Sequence, residues 1–201
     1  MQVIFADGFE SGTTAAWSST TGTPTVVGTP KRSGVYALEC EAGDYVARSI
    51  VAGNRAAVAR VWFYHPGDPT GARAHVAGFV CGGVAVIVQM KTTGELSLYD
   101  ATTEADTGPD IGAAGSWHSL DMRLVSSADP WVVTWAVDRV DQGSVNLSHA
   151  AADITTLRVG NNGSGVVTFG FDDIALSLTS ADYPLDSMFS ARQDPAFLFM
   201  Y

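Results

Sequence analysis

An all-β protein, with two antiparallel sheets packed face to face as a sandwich or jelly roll, is the fold class that the sequence predicts. Three observations predict it. Apolar residues almost nowhere recur with the helical period of about 3.6. Short runs rich in Val, Ile, Thr, Phe, Tyr and Trp recur instead, divided by clusters of Gly, Ser, Asn, Asp and Pro. The composition, 46% hydrophobic and 16% charged over 201 residues, is that of a chain with a core. A single domain of this length buries about 70% of its unfolded surface and needs no staples.

In chain order the expected strands are 2–6, 24–28, 35–40, 45–51, 56–64, 74–81, 83–90, 95–99, 117–125, 131–138, 144–147, 154–159 and 166–178. Short strands at this spacing fit two sheets better than a barrel of long hairpins. Alternation separates the faces. Within 56–64, Ala57, Ala59, Val61 and Phe63 share one face, and Val58, Arg60, Trp62 and Tyr64 share the other. Within 117–125, His118, Leu120, Met122 and Leu124 oppose Ser119, Asp121 and Arg123. Strand 166–178 changes parity: Val167, Phe169 and Phe171 are odd, whereas Ile174, Leu176 and Leu178 are even. A one-residue slip turns every side chain over, so keeping both sets inside predicts a bulge near Asp172-Asp173.

The stretch Asp100–Ser116 has several acids and no apolar run, and is expected to be a solvated connection. Segments 126–130 and 160–165 read as turns. After Leu178 the alternation stops, yet the last residues are rich in aromatics and Met. The division expected is a domain over 1–179 and an irregular apolar arm over 180–201. A disordered tail is normally poor in aromatics. The arm is therefore expected to dock on a partner or sister subunit through Tyr183, Phe189, Phe197, Phe199 and Tyr201.

Charge removes whole classes of function. Eleven Lys and Arg against 21 Asp and Glu leave a net charge of −10, which repels nucleic-acid phosphates and anionic lipid. No apolar run approaches the ~20 residues of a membrane-spanning helix. Cys40 and Cys81 cannot form a disulfide framework, and read as small buried hydrophobes or as one pair. Residues 1–10 have no basic n-region, apolar h-region or cleavage site, so no signal peptide is expected there. The four His lack His-x-His or His-x-x-x-His spacing, which argues against zinc. No Gly-x-Ser-x-Gly elbow occurs, and no base is evident for Cys81.

Several landmarks occur together in a characteristic order. Asp7-Gly-Phe-Glu-Ser-Gly12 precedes Trp17; Ser33-Gly-Val-Tyr-Ala-Leu38 and Ala59-Arg-Val-Trp-Phe-Tyr64 follow. Next come Gly94-Glu-Leu-Ser-Leu-Tyr99, Trp117-His-Ser-Leu-Asp-Met-Arg123, Leu157-Arg-Val-Gly160 and Phe171-Asp-Asp-Ile-Ala-Leu176. Over about residues 1–179 this set resembles the concanavalin A-like jelly rolls, which include laminin-G and carbohydrate-binding modules. The resemblance fixes fold far better than function, because that superfamily spans lectins, binding modules, glycosidases and phage virion proteins.

The resemblance implies a candidate metal site. In related binding modules an N-terminal Phe-Glu and a C-terminal Asp-Asp meet on a structural Ca²⁺. The matching positions here are Glu10, Asp172 and Asp173, with Asp7 nearby. Ca²⁺ takes 6–8 oxygens, and carboxylates with turn carbonyls supply them. The other reading is that these acids accept hydrogen bonds from turn N–H groups. For ligand binding, Arg60, Trp62 and Tyr64 offer a stacking platform for a glycan, and Trp131 and Trp135 lie about 13 Å apart on one face. The other reading of these aromatics is core. Glucanases of the superfamily carry clustered carboxylates on one strand, and this chain has no such strand, so an enzyme is not expected.

These features lead to one expectation and one alternative. The expectation is a non-enzymatic bacteriophage virion protein, made in the host cytoplasm and placed at the tail tip or capsid surface. It would be a homo-oligomer that docks on other virion proteins through its arm, with a cell-surface glycan as a further ligand. The alternative is a carbohydrate-binding module or lectin-like protein.

Overall fold

The computed structural model describes residues 3–101, 103–112 and 114–185. The strands in order are β1 (Val3–Asp7), β2 (Ser19–Thr21), β3 (Thr25–Val27), β4 (Ala37–Cys40), β5 (Asp44–Ser49), β6 (Ala56–His65), β7 (Ala74–Cys81) and β8 (Val84–Met90). They continue as β9 (Glu95–Asp100), β10 (Thr103–Asp110), β11 (Ser116–Val125), β12 (Trp131–Val137), β13 (Val140–Leu147), β14 (Ile154–Asn161) and β15 (Phe169–Ser177). One 3₁₀ turn follows at Ser180–Asp182. Among the described residues no helix is long and apolar enough to cross a membrane.

Two antiparallel sheets form the sandwich. The first has the order β13-β12-β11-β6-β15-β4-β3, with β1 also paired to β15. The second runs β10-β9-β8-β7-β14-β5-β2. Between them lies one core, with Val61, Phe63, Leu120, Met122, Phe169 and Phe171 from the first sheet. Phe79, Val86, Val88, Leu96, Leu98 and Val159 meet them from the second. Trp131 and Trp135 are core as well, 1% and 0% exposed, so neither reaches a ligand. Cys40 and Cys81 are buried and unbridged.

The parity change in β15 is a bulge. Its pairing with β6 shifts between Asp172 and Ala175, and Asp173 has φ +45°. The shift keeps Phe169, Phe171, Ile174 and Leu176 all inside. It also divides the strand's other edge: Phe169–Phe171 pairs with β4, and Ile174–Ser177 pairs with β1.

The strand β2, the first half of β13, the 100–116 connection and the arm differ from the sequence reading. The 100–116 connection contains β10, an edge strand paired with β9. Such a strand needs no apolar alternation, because main-chain bonds hold one side and solvent faces much of the other. Trp135 locks it: the indole Nε1 donates to Asp106 Oδ2 at 3.0 Å. A Cβ on Gly108 would sit 2.3 Å from that indole ring. The arm also differs. Tyr183 and Leu185 pack on the outer face of the first sheet against Val58, Ala175 and Val3 of their own chain. Tyr183 is thus a contact within the domain rather than a partner's docking residue. Phe189, Phe197, Phe199 and Tyr201 lie outside the described residues.

Candidate functional site

The four candidate metal ligands come to one end of the sandwich with their oxygens already engaged. Asp7 takes the Phe9 N–H on Oδ1 and the Trp17 indole N–H on Oδ2, both at 2.8 Å. Glu10 accepts the Val35 N–H with both oxygens, at 3.1 and 2.9 Å. Asp172 Oδ2 accepts the N–H groups of Arg32 and Ser33 at 3.0 Å, and its Oδ1 accepts that of Asp173 at 2.7 Å. Asp173 Oδ2 takes the Ser33 hydroxyl at 3.0 Å and pairs with the Arg32 guanidinium. Burial, aided by the Asp173 charge, pushes the Asp172 carboxyl up to about 6 against those donors.

This set does not fit Ca²⁺, which needs 6–8 oxygens turned toward one point. Among the described residues no three His, Cys, Asp or Glu side chains are grouped to hold a metal ion. The positive charge beside Asp173 is Arg32. Glu10, Asp172 and Asp173 instead clamp the 32–36 turn to the strand ends. Gly34 is required there twice over: its φ is +59°, and a Cβ would fall 2.0 Å from Glu10 Oε1.

Of the Arg60, Trp62 and Tyr64 platform, Arg60 is withdrawn from solvent, whereas Trp62 and Tyr64 stay half-buried. All three do lie on the outer face of β6, as alternation predicts. Arg60, however, is 1% exposed. Its Nε and Nη2 each donate at 2.8 Å to the Asp121 carboxylate, and its Nη1 donates to the Leu185 carbonyl at 2.9 Å. The arm covers it, so Arg60 cannot touch a ligand. Trp62 lies under Arg32, whose guanidinium carbon is 3.7 Å from the ring centroid. Tyr64 leans on Trp117, centroids 5.6 Å apart.

The other sheet carries the cleft. An open depression of about 650 Å³ lies on the outer face of the second sheet, lined by Arg73, His75, Gln89 and the 162–164 loop. A second, far smaller pocket of about 10 Å³ shares His75 and Asn162 with it and extends the lining to Gly78, Ile87 and Arg158. Register builds the floor: His75 faces Gln89 across β7 and β8, and Arg158 faces Gly78 across β14 and β7. Gln89 Nε2 lies 2.9 Å from His75 Nε2. Burial, with the Arg158 charge adding, lowers the His75 pKa to about 4. The ring is therefore neutral at pH 7 and accepts the Gln89 amide N–H, while its Nδ1 has no hydrogen-bond partner.

Asn161 sets the rim. It is fully buried, and its Oδ1 accepts the N–H groups of His75 and Gly163 at 3.1 Å. Its Nδ2 donates to the Gly165 carbonyl at 2.9 Å. One amide thus ties the loop to the strand that carries His75. Two guanidinium groups flank the floor, each over a tyrosine: Arg73 at 4.3 Å from the Tyr99 centroid, and Arg158 at 5.2 Å from that of Tyr45.

Sequence reasoning missed these residues. A lone His and a lone Gln inside the apolar runs 74–81 and 84–90 were the available signal. Only register shows that they meet.

No protein-family model and no curated protein matches the chain. Solved structures do match its fold. A cellulose-induced protein is similar over 87% of this chain and 97% of its own, with TM-score 0.66 and 16% identity. An alginate lyase from a Chlorella virus is similar over 88% and 99%, with TM-score 0.67 and 8% identity. A sialidase of Trypanosoma rangeli is similar at TM-score 0.61 and 11% identity, over 85% of this chain but 29% of the sialidase. At these identities the likeness is one of fold, and that fold is the jelly-roll sandwich.

Proposed function

We propose that the protein is a carbohydrate-binding jelly roll that takes a glycan in the cleft of its second sheet and does not turn it over. One observation carries this reading: a preformed cleft whose polar groups are fixed by neighbours before any ligand arrives. Its volume of about 650 Å³ lies in the usual range for ligand sites, 300–1,000 Å³. Gln89 and Arg73 supply amide and guanidinium donors, and Ile87 adds an apolar patch to the floor. Two fold relatives are named for their action on sugars, an alginate lyase and a sialidase.

The virion expectation drew in part on the 180–201 arm, of which residues 180–185 are described. The described part of that arm, through Leu185, serves its own domain. Carbohydrate binding is therefore the reading that the geometry favours.

A glycan array of the full chain tests it. Wild type and Trp62→Ala should bind the same glycans, whereas Arg73→Ala and His75→Ala should lose them. Binding lost with Trp62 and kept without His75 would move the site to the first sheet.

A further inference from the structure

We infer that the cleft selects glycans bearing a negative charge on the sugar ring, and that Arg158 is the group that reads the charge. The inference rests on the carbohydrate reading above. With 21 Asp and Glu against 11 Lys and Arg, an arbitrary groove on this protein should be rimmed by acids. None of the residues lining the cleft or its extension is acidic.

The two flanking arginines differ in what they already hold. Arg73 Nη2 lies 3.2 Å from Glu104 Oε2, so its charge is answered. Hydrogen bonds from Lys91 and Thr107 keep the Glu104 carboxyl below its usual range, so that partner stays ionised. Arg158 makes no ion pair with a carboxylate among the described residues; its one recorded side-chain partner is the Tyr45 ring.

Small residues leave Arg158 room to act. It pairs with Ala47 on β5 and with Gly78 on β7. Its neighbour His75 is neutral and brings no second positive charge. A half-buried guanidinium with unused N–H donors is matched by a carboxylate or a sulfate, either of which takes two parallel hydrogen bonds. Sugar hydroxyls alone leave that charge unanswered.

Isothermal titration calorimetry tests the inference with three probes: a uronic-acid tetrasaccharide, the same sugar after carboxyl reduction, and a tetrasaccharide without carboxylates that carries ring sulfates. At least one charged probe should bind on the order of ten- to a hundredfold more tightly than the reduced sugar. Which charged probe does so separates carboxylate from sulfate. Arg158→Gln should erase the difference between the charged and the reduced sugar. Arg158→Lys should keep part of it, and carries the test if the glutamine variant melts more than about 5 °C early. Equal affinity for charged and reduced sugars overturns the inference while the carbohydrate reading stands. A charge preference that survives Arg158→Gln overturns it too. If no probe of any charge binds, the carbohydrate reading itself falls.

Discussion

Removing the Asp121 carboxylate should be one of the most damaging single changes available in this chain. Asp121 and Arg60 face each other across β11 and β6, with side chains 0% and 1% exposed. Two N–H···O bonds of 2.8 Å join them in a fork. Asp121→Ala leaves a guanidinium buried beneath Leu185 without that counter-charge, which costs about 3–5 kcal/mol. A domain of this kind is stable by only about 5–15 kcal/mol, so a large share is at stake. At roughly 2–4 °C per kcal/mol, the melting temperature should fall by about 6–20 °C. Urea unfolding should show a lower midpoint at an unchanged slope. Replacing both partners, Arg60→Met with Asp121→Leu, should cost less than Asp121→Ala alone, because the guanidinium leaves together with its counter-charge. A cost below about 1 kcal/mol for Asp121→Ala is what an exposed pair gives. That result would mean that Tyr183–Leu185 does not cover the sheet, and the argument would fail.

Two further outcomes follow from the ionisable groups. His75 has its pKa lowered from 6.5 to about 4 by burial and by Arg158, so the unfolded chain binds that proton more tightly. Its contribution, about 3 kcal/mol at most, is fully present above pH 6.5 and is lost as the pH falls toward 4. His75→Gln should flatten that part of the stability–pH curve, and an unchanged slope in the variant would discard the assignment. Because the acids at Glu10, Asp172 and Asp173 hold N–H donors and Arg32, EDTA should leave the melt where it is. A rise of several degrees with millimolar CaCl₂ would restore the metal site.

Some of this architecture was legible and some was not, for reasons that particular residues show. The inner faces of β6 and β11 follow from alternation alone, because the parity of each strand never breaks. The bulge at Asp172-Asp173 was legible for the same reason: two apolar sets of opposite parity can share a core in no other way. The edge strand β10 was hidden, since main-chain pairing with β9 and one tryptophan contact hold it, and neither leaves an apolar pattern. The first half of β13 was hidden by its turn. Asp138 and Arg139 both have positive φ, at 50° and 67°, without the glycine that usually marks such a hairpin. Asp138 is kept there by other bonds: its carboxylate accepts the Ser119 N–H at 2.8 Å and lies 2.7 Å from His118 Nδ1. The cleft was the least legible feature. His75, Gln89 and Arg158 meet only because β14, β7 and β8 are neighbours, and strand order is not written in any one strand.

Arg32 bears on two expectations at once. In the sequence it stands in the run Pro30-Lys-Arg-Ser-Gly34. In the fold its backbone N–H binds Asp172, its guanidinium pairs with Asp173, and the same guanidinium lies 3.7 Å above Trp62. One side chain thus supplies the positive charge expected of an ion and covers the ring expected to face a sugar. The resemblance singled out the acids, and alternation put Arg60, Trp62 and Tyr64 on one face of β6. The resemblance did not carry over the chemistry, because the deciding residue lies outside every matched motif. The partner therefore has to be found, residue by residue, before a role is assigned.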